Sequence, residues 1–153
     1  MAVKLSAENA KSHIGEEVGV SGWLKIEQDR IDAFADVTND HQFIHVDPEA
    51  AAQGPFGKTI AHGFLSLSLL TDLAATNGIQ IENVEMLINY GFDKVRFLAP
   101  VKVNDEIRAR IVLRDFVEKR PKQYLVTAAI TIEIKGEDRP ALVADWLTMA
   151  MTD

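Results

Sequence analysis

From His62 to Ala75 the chain carries Phe64, Leu65, Leu67, Leu69, Leu70, Leu73, Ala74 and Ala75, with serines and threonine between them. A helix with apolar residues on nearly all sides is buried rather than laid on a surface. It therefore needs wrapping, and the downstream sequence supplies it. Val84 to Phe97 reads as a strand. Ile107, Ala109, Ile111 and Leu113 alternate with Arg108, Arg110 and Val112; Tyr124, Val126, Ala128, Ile130, Ile132 and Ile134 alternate with smaller or polar residues; Ala141 to Met151 reads as a last strand, apolar on both faces. Period-two patterning over successive segments predicts an antiparallel meander, with turns at Lys119-Arg120-Pro121 and Gly136-Glu137-Asp138. The economical solution is α+β: a curved antiparallel sheet wrapped around a long central helix. The second apolar face of the last strand, with Trp146, Leu147, Met149 and Met151, points to a subunit interface and hence a homodimer.

Upstream the elements are shorter. Ser6 to His13 reads as a short helix capped by Ser6 and ended by Gly15, and Glu17 to Ile26 as a weak strand interrupted by Gly19 and Gly22. Ile31, Phe34 and Ala35 recur at helical spacing, predicting a helix over Gln28 to Thr38. Thr38 and Asn39 favour a turn, so Asn39 to Val46 is expected as a loop. Asp47-Pro48 is a helix start, with Asp as cap and Pro at the first helical position, and that helix should reach about Gln53. Asn77-Gly78 ends the central helix.

A chain of 153 residues fits one domain, expected over 1–153, with 47% hydrophobic and 25% charged residues, which argues against disorder. Cysteine is absent, which excludes disulfides, thiolate metal sites and a cysteine nucleophile. Met1 to Gly15 lacks an apolar signal core and no run of about 18 apolar residues exists, so the expected location is cytoplasmic, without a membrane partner. A net charge of −7 disfavours nucleic acid. An anionic small ligand stays compatible, because a basic patch can sit on an acidic protein.

Two segments carry chemistry. Asp40-His41-Gln42-Phe43-Ile44-His45 places a carboxylate and an imidazole in one loop, and Gly57-Lys58-Thr59-Ile60-Ala61-His62-Gly63-Phe64 enters the buried helix. Water addition needs one group to take a proton from water and one to deliver a proton to carbon, and carboxylate and imidazole are the usual choices near neutral pH. Charge that builds on a thioester oxygen can be met by a backbone N–H at a helix N-terminus, and Gly63 has no side chain to block the approach. Bland roles compete. An Asp and a His near a helix end commonly serve as cap and turn residues. His41 reads as a solvated loop residue, His13 as surface, and His62 as a structural histidine at a helix terminus. His41, His45 and His62 lack a regular metal-ligand spacing, so no metal is expected. Ser66 and Ser68 could offer a hydroxyl nucleophile, yet serines in a buried helix more often bond to the preceding turn's carbonyl, and no Gly-x-Ser-x-Gly elbow is present. Arg108 and Arg110 fit a solvated sheet face.

The run Phe34-Ala35, Asp40, His45-Val46-Asp47-Pro48, followed by Gly54-Pro55-Phe56-Gly57 and Ile60-Ala61-His62-Gly63, resembles the MaoC-like dehydratase family, which includes the (R)-specific enoyl-CoA hydratases. Phe97-Leu98-Ala99-Pro100-Val101 resembles a family strand and its turn, and the likeness spans about Val20 to Ala150. The resemblance implies a hot-dog fold, a dimer, and reversible hydration of trans-2-enoyl-CoA to 3-hydroxyacyl-CoA. By motif position it makes Asp40 and His45 the catalytic pair and Gly63 the oxyanion donor; Ser68 falls near a family serine that helps hold the site, and Gln42, His62 and Asn89 are expected to bind substrate beside it. The family motif usually reads Asp-x-Asn-Pro-x-His; here Gln42 and Phe43 replace its Asn and Pro, and with Ile88-Asn89-Tyr90-Gly91 the sequence looks closer to the nodulation protein N branch. His45 is read as the base and Asp40 as the partner that holds and protonates the water. An acyl-CoA or acyl-carrier-protein thioester is the expected partner, no metal or organic cofactor is implied, and Lys94, Arg96, Lys102, Arg108 and Arg110 are candidates for the CoA phosphates. The alternatives on the same fold are an acyl-CoA thioesterase and a non-catalytic acyl-thioester binder.

Overall fold

The computed structural model describes residues 2–153. Four long or paired strands build the body: β5 (Val84–Phe97), β6 (Glu106–Arg120), β7 (Gln123–Ile134) and β8 (Leu142–Thr152). Before them run β1 (Lys4–Leu5), β2 (Glu17–Val20), β3 (Leu24–Lys25), the helices α1 (Gln28–Thr38), α2 (Phe43–Val46), α3 (Pro48–Ala52), α4 (Gly63–Ser68) and α5 (Leu70–Ala75), and β4 (Gln80–Ile81). The six-stranded sheet has the order β2-β6-β7-β8-β5, with β3 also on β6, and every pairing in it is antiparallel. This is the sheet and central helix expected of a hot-dog fold. Along β7 buried and half-buried residues alternate strictly from Val126 to Ile134, as period-two patterning requires.

β8 lies inside the sheet, between β7 and β5; of the residues expected at an interface, Trp146 and Leu147 are buried within the chain and Met149 and Met151 are half-buried. One edge of the sheet is β5, where Met86, Leu87, Ile88, Tyr90, Phe92 and Phe97 are exposed.

The central helix is corrected. It is two segments joined at Leu69, and only the stripe of Leu65, Ser66, Leu69, Leu70, Leu73 and Ala74 is buried. Phe64 on the other side is 67% exposed, on the same surface as Phe97, whose ring meets it edge-on at 5.9 Å. The apolar residues all round the helix therefore serve two faces, one against the sheet and one facing outward. Past the helix, Gly78 seats the chain against β2: a Cβ on Gly19 would stand 2.5 Å from the Gly78 carbonyl carbon, so these two backbones touch without side chains between them.

The N-terminal expectations hold in outline. The predicted 6–13 helix is a short 3-10 turn, Ala10–His13. Asp47 caps α3 by accepting from the Ala50 N–H at 3.0 Å, with Pro48 at the first helical position. Residues 43–46, expected as loop, form the one-turn helix α2.

Candidate active site

Three pieces of chain meet at His45. The turn α2 presents its side chain inward, where it is 6% exposed. The helix α1 fixes the turn from one side, because the Gln28 amide donates to the His45 carbonyl at 2.7 Å and accepts from the Thr59 hydroxyl. The strand-like entry to α4 fixes it from the other: Ile60 N–H donates to the Ile44 carbonyl at 2.8 Å, and the His45 Nδ1–H donates to the Ile60 carbonyl at 2.7 Å. A carbonyl can only accept, so Nδ1 carries the proton and Nε2 of the neutral ring is left with a bare lone pair. Burial lowers the pKa of His45 from its ordinary value of 6.5, and the neighbouring His62 ring adds to this, against the Ile60 hydrogen bond and the Asp40 carboxylate. A buried imidazole held neutral in this way is suited to accept a proton.

Asp40 follows the left-handed residue Asn39 that ends α1, and is half-buried. His62, buried at the start of α4, donates its Nε2–H to the Asp40 backbone carbonyl at 3.0 Å and stacks on His45, with ring centroids 3.8 Å apart and an interplanar angle of 22°. One oxygen of Asp40 and one ring nitrogen from each of His45 and His62 lie within 4.8 Å of one another, a set that could hold a metal ion as well as a water. Sequence reasoning thus named all three residues, with His62 expected to bind substrate beside the pair; its stacking on His45 was not foreseen.

Gly63 follows at the first helical position, where a backbone N–H has no intrahelical partner. The need for glycine has a local cause the sequence did not reveal: a Cβ there would stand 2.9 Å from the Phe97 ring. Gly63 and Phe97 line one cavity with Phe56, Ala61, Ser66 and Leu98.

The other expected residues sit differently. Gln42 is exposed ahead of α2; its carbonyl receives the His45 N–H at 2.9 Å, so it shapes the turn through its backbone. Ser68 Oγ donates to the Phe64 carbonyl at 2.7 Å, the bond expected of a serine within a helix. Asn89 accepts from the Trp146 indole at 3.1 Å and lines a separate apolar cavity under α5 with Thr71, Ala74, Leu87 and Trp146. His41 pairs with Asp36 and His13 with Glu16 on the surface, each at 2.8 Å. Arg108 and Arg110 both bind Glu133, and Arg110 also binds Glu17, so their charge is already matched on the outer sheet face. Lys94, Arg96 and Lys102 make no ion pair among the described residues. The residues missed from sequence are Ile60, Gln28 and Phe97. Ile60 acts through a backbone carbonyl, which no side-chain pattern reveals.

A MaoC-like domain matches residues 9–134. The chain belongs to this family. It is 46% identical over 151 residues to nodulation protein N of Rhizobium leguminosarum, covering 98% of this chain and 94% of the relative. It is 47% identical over 131 residues to 3-hydroxyacyl-thioester dehydratase Z of Mycobacterium tuberculosis, covering 86% of each. Among solved structures, an unliganded (R)-hydratase from Pseudomonas aeruginosa superposes with a TM-score of 0.71 at 26% identity, over 92% of this chain and 83% of the other. No helix among the described residues is long and apolar enough to cross a membrane.

Proposed function

We propose that this MaoC-like protein is an (R)-specific hydro-lyase that adds water reversibly to trans-2-enoyl thioesters, with Asp40 and His45 as its catalytic pair. The observation that carries the reading is the His45–Ile60 hydrogen bond, which leaves Nε2 bare in a buried neutral imidazole whose ring stands beside Asp40. The relatives named dehydratase and hydratase support the same chemistry.

In the hydration direction His45 Nε2 takes one proton from a water held at the pair as the water oxygen bonds to C3. The C2–C3 π electrons move toward the thioester carbonyl, whose oxygen gains charge at the Gly63 N–H. Asp40 balances the imidazolium beside it. The proton then passes from the pair to C2 on the same face, so one H and one OH have been added and the enzyme is restored. Lys94, Arg96 and Lys102 are left to meet CoA phosphates, and a carrier-protein thioester suits the same chemistry. A homodimer in the cytoplasm, with no cofactor, completes the reading.

The test mixes purified protein with crotonyl-CoA and follows both the enoyl absorbance and free thiol. A hydratase removes the absorbance and releases no thiol, and coupling to an (S)-specific 3-hydroxyacyl dehydrogenase gives no signal. Thiol release would move the protein to the thioesterases. Binding without turnover would make it an acyl-thioester binder.

A further inference from the structure

Among the described residues, His62 Nδ1 is the buried side-chain nitrogen or oxygen left without a hydrogen-bond partner. The ring is 4% exposed, so bulk water does not complete it. An unmet acceptor at that depth is costly, and the groups around it say what would satisfy it. Its Nε2 is committed to the Asp40 carbonyl, which can only accept. Nε2 therefore carries the hydrogen, and in the neutral ring Nδ1 is a bare acceptor. His45 is fixed in the opposite sense, with Nδ1–H on Ile60 and Nε2 bare.

Two stacked rings with opposite tautomers thus stand next to one carboxylate, one nitrogen of each ring lying within 4.8 Å of a carboxylate oxygen. His45 Nε2, His62 Nδ1 and the carboxylate are three acceptors, none of which donates. A molecule with two O–H bonds suits them, since one hydrogen can point to each ring. The hydration reaction supplies such a molecule. Of the two hydrogens of the attacking water, one is transferred and the other stays on the product hydroxyl.

We propose that His62 is a third catalytic residue, whose Nδ1 accepts the hydrogen that the attacking water retains while His45 takes the one it gives up. This rests on the hydratase reading above. The bond fixes rotation of the water, so its lone pair faces C3 as its other hydrogen faces His45. In the dehydration direction the same nitrogen receives the 3-hydroxyl of the substrate. No group is added and none is lost, because His62 accepts a hydrogen bond and transfers no proton. Phe34, whose ring centroid lies 5.0 Å from that of His62, packs against it.

Two substitutions separate this role from a strut that merely holds Asp40. In His62→Gln the side-chain amide reaches the Nε2 position, so the tie to the Asp40 carbonyl is kept and the Nδ1 acceptor is lost. In His62→Asn the amide stands at the Nδ1 position, so an acceptor is kept there and the tie is lost. Wild type and both variants are assayed with crotonyl-CoA and with (R)-3-hydroxybutyryl-CoA, with circular dichroism to confirm folding. His62→Gln should lose about ten- to hundredfold in kcat, the scale of one hydrogen bond to a reacting group, with KM for crotonyl-CoA nearly unchanged and KM for the hydroxy thioester raised. His62→Asn should keep most of the turnover. The reverse order, or equal losses, would leave His62 a strut and end the proposal. A folded wild type that does not hydrate crotonyl-CoA ends the hydratase reading itself, a different outcome from an active wild type with an active His62→Gln. Histidine 15N spectra of the unmutated protein give a reading independent of variant folding: His62 should show a bare Nδ1 and a protonated Nε2, and the opposite tautomer would overturn the assignment.

Discussion

The Nδ1–H of His45 points at the Ile60 carbonyl 2.7 Å away, and this one bond leaves Nε2 as the bare acceptor of a ring that stands beside Asp40. The acceptor is a backbone atom on the entry to α4, so the base is oriented by the same stretch of chain that leads to His62 and Gly63. Proton acceptor, stacked imidazole and helix N-terminus are thereby held as one block.

The first prediction concerns the pair. Asp40→Asn keeps shape and removes the charge, and His45→Gln keeps a polar reach and removes the base. Each should lower kcat by roughly 10²–10⁴-fold, the usual scale for acid/base groups. The double variant should be little worse than either single one, because groups acting on one water are far from additive. If the two residues are only cap and turn, the variants will melt earlier and keep their turnover per folded molecule. Turnover and melting temperature on the same samples decide between these.

The second concerns pH. His45 is held below its ordinary 6.5, chiefly by burial. The acid limb of kcat/KM should therefore have its midpoint below 6.5, and a midpoint at or above that value contradicts the assignment of His45 as base. Stability follows the same sign. As pH falls below about 6.5 the unfolded chain takes up a proton at this position before the folded one does. The stabilisation present above 6.5 is then lost as pH falls through the folded value. Urea melts between pH 7.5 and 5 should show the loss, and His45→Gln should flatten it.

Much of this was legible in the sequence for reasons that are local. Helix α1 runs over Gln28–Thr38 as its apolar spacing predicts, and Asp47-Pro48 caps α3 as written. What was not legible depends on distant partners. Phe43-Ile44-His45-Val46 has aromatic and β-branched residues that disfavour helix; its single turn is held from outside by Gln28 and Ile60, which lie far off in sequence. The apolar residues of 62–75 were read as facing one core because composition does not tell a core face from a face left open. Asn89 carried the expected amide and sits against Trp146, because strand pairing of β5 with β8 places it there.

The third prediction concerns that open face. β5 has one paired edge, on β8, and its other edge carries exposed Met86, Ile88, Tyr90 and Phe92. A long apolar edge strand left in water is an aggregation hazard unless something pairs with it. With Phe64 and Phe97 beside it, the surface suits a second copy of the chain. Sedimentation at micromolar concentration should give a dimer, and Ile88→Arg or Tyr90→Arg should shift it to monomer. A wild-type monomer would count against it, and so would dimers untouched by these charges.

The fourth separates two reasons for a glycine at position 63. A Cβ there would stand 2.9 Å from the Phe97 Cδ1 and Cε1 atoms, yet Phe97 is 48% exposed and has room to swing aside. Gly63→Ala should therefore cost little in melting temperature. If the thioester oxygen must come up to the Gly63 N–H, the added methyl still obstructs it, and turnover should fall by about 10²-fold, within the range for losing an oxyanion donor. Phe97→Ala removes the ring that the methyl meets. Were ring packing the only reason for glycine, Gly63→Ala combined with Phe97→Ala would turn over as fast as Phe97→Ala alone. The oxyanion role instead requires the double variant to stay at least about tenfold below Phe97→Ala, because what it hinders is the substrate and not the ring. Full recovery to the Phe97→Ala level would remove Gly63 from the mechanism and leave Asp40 and His45 to be judged by their own variants.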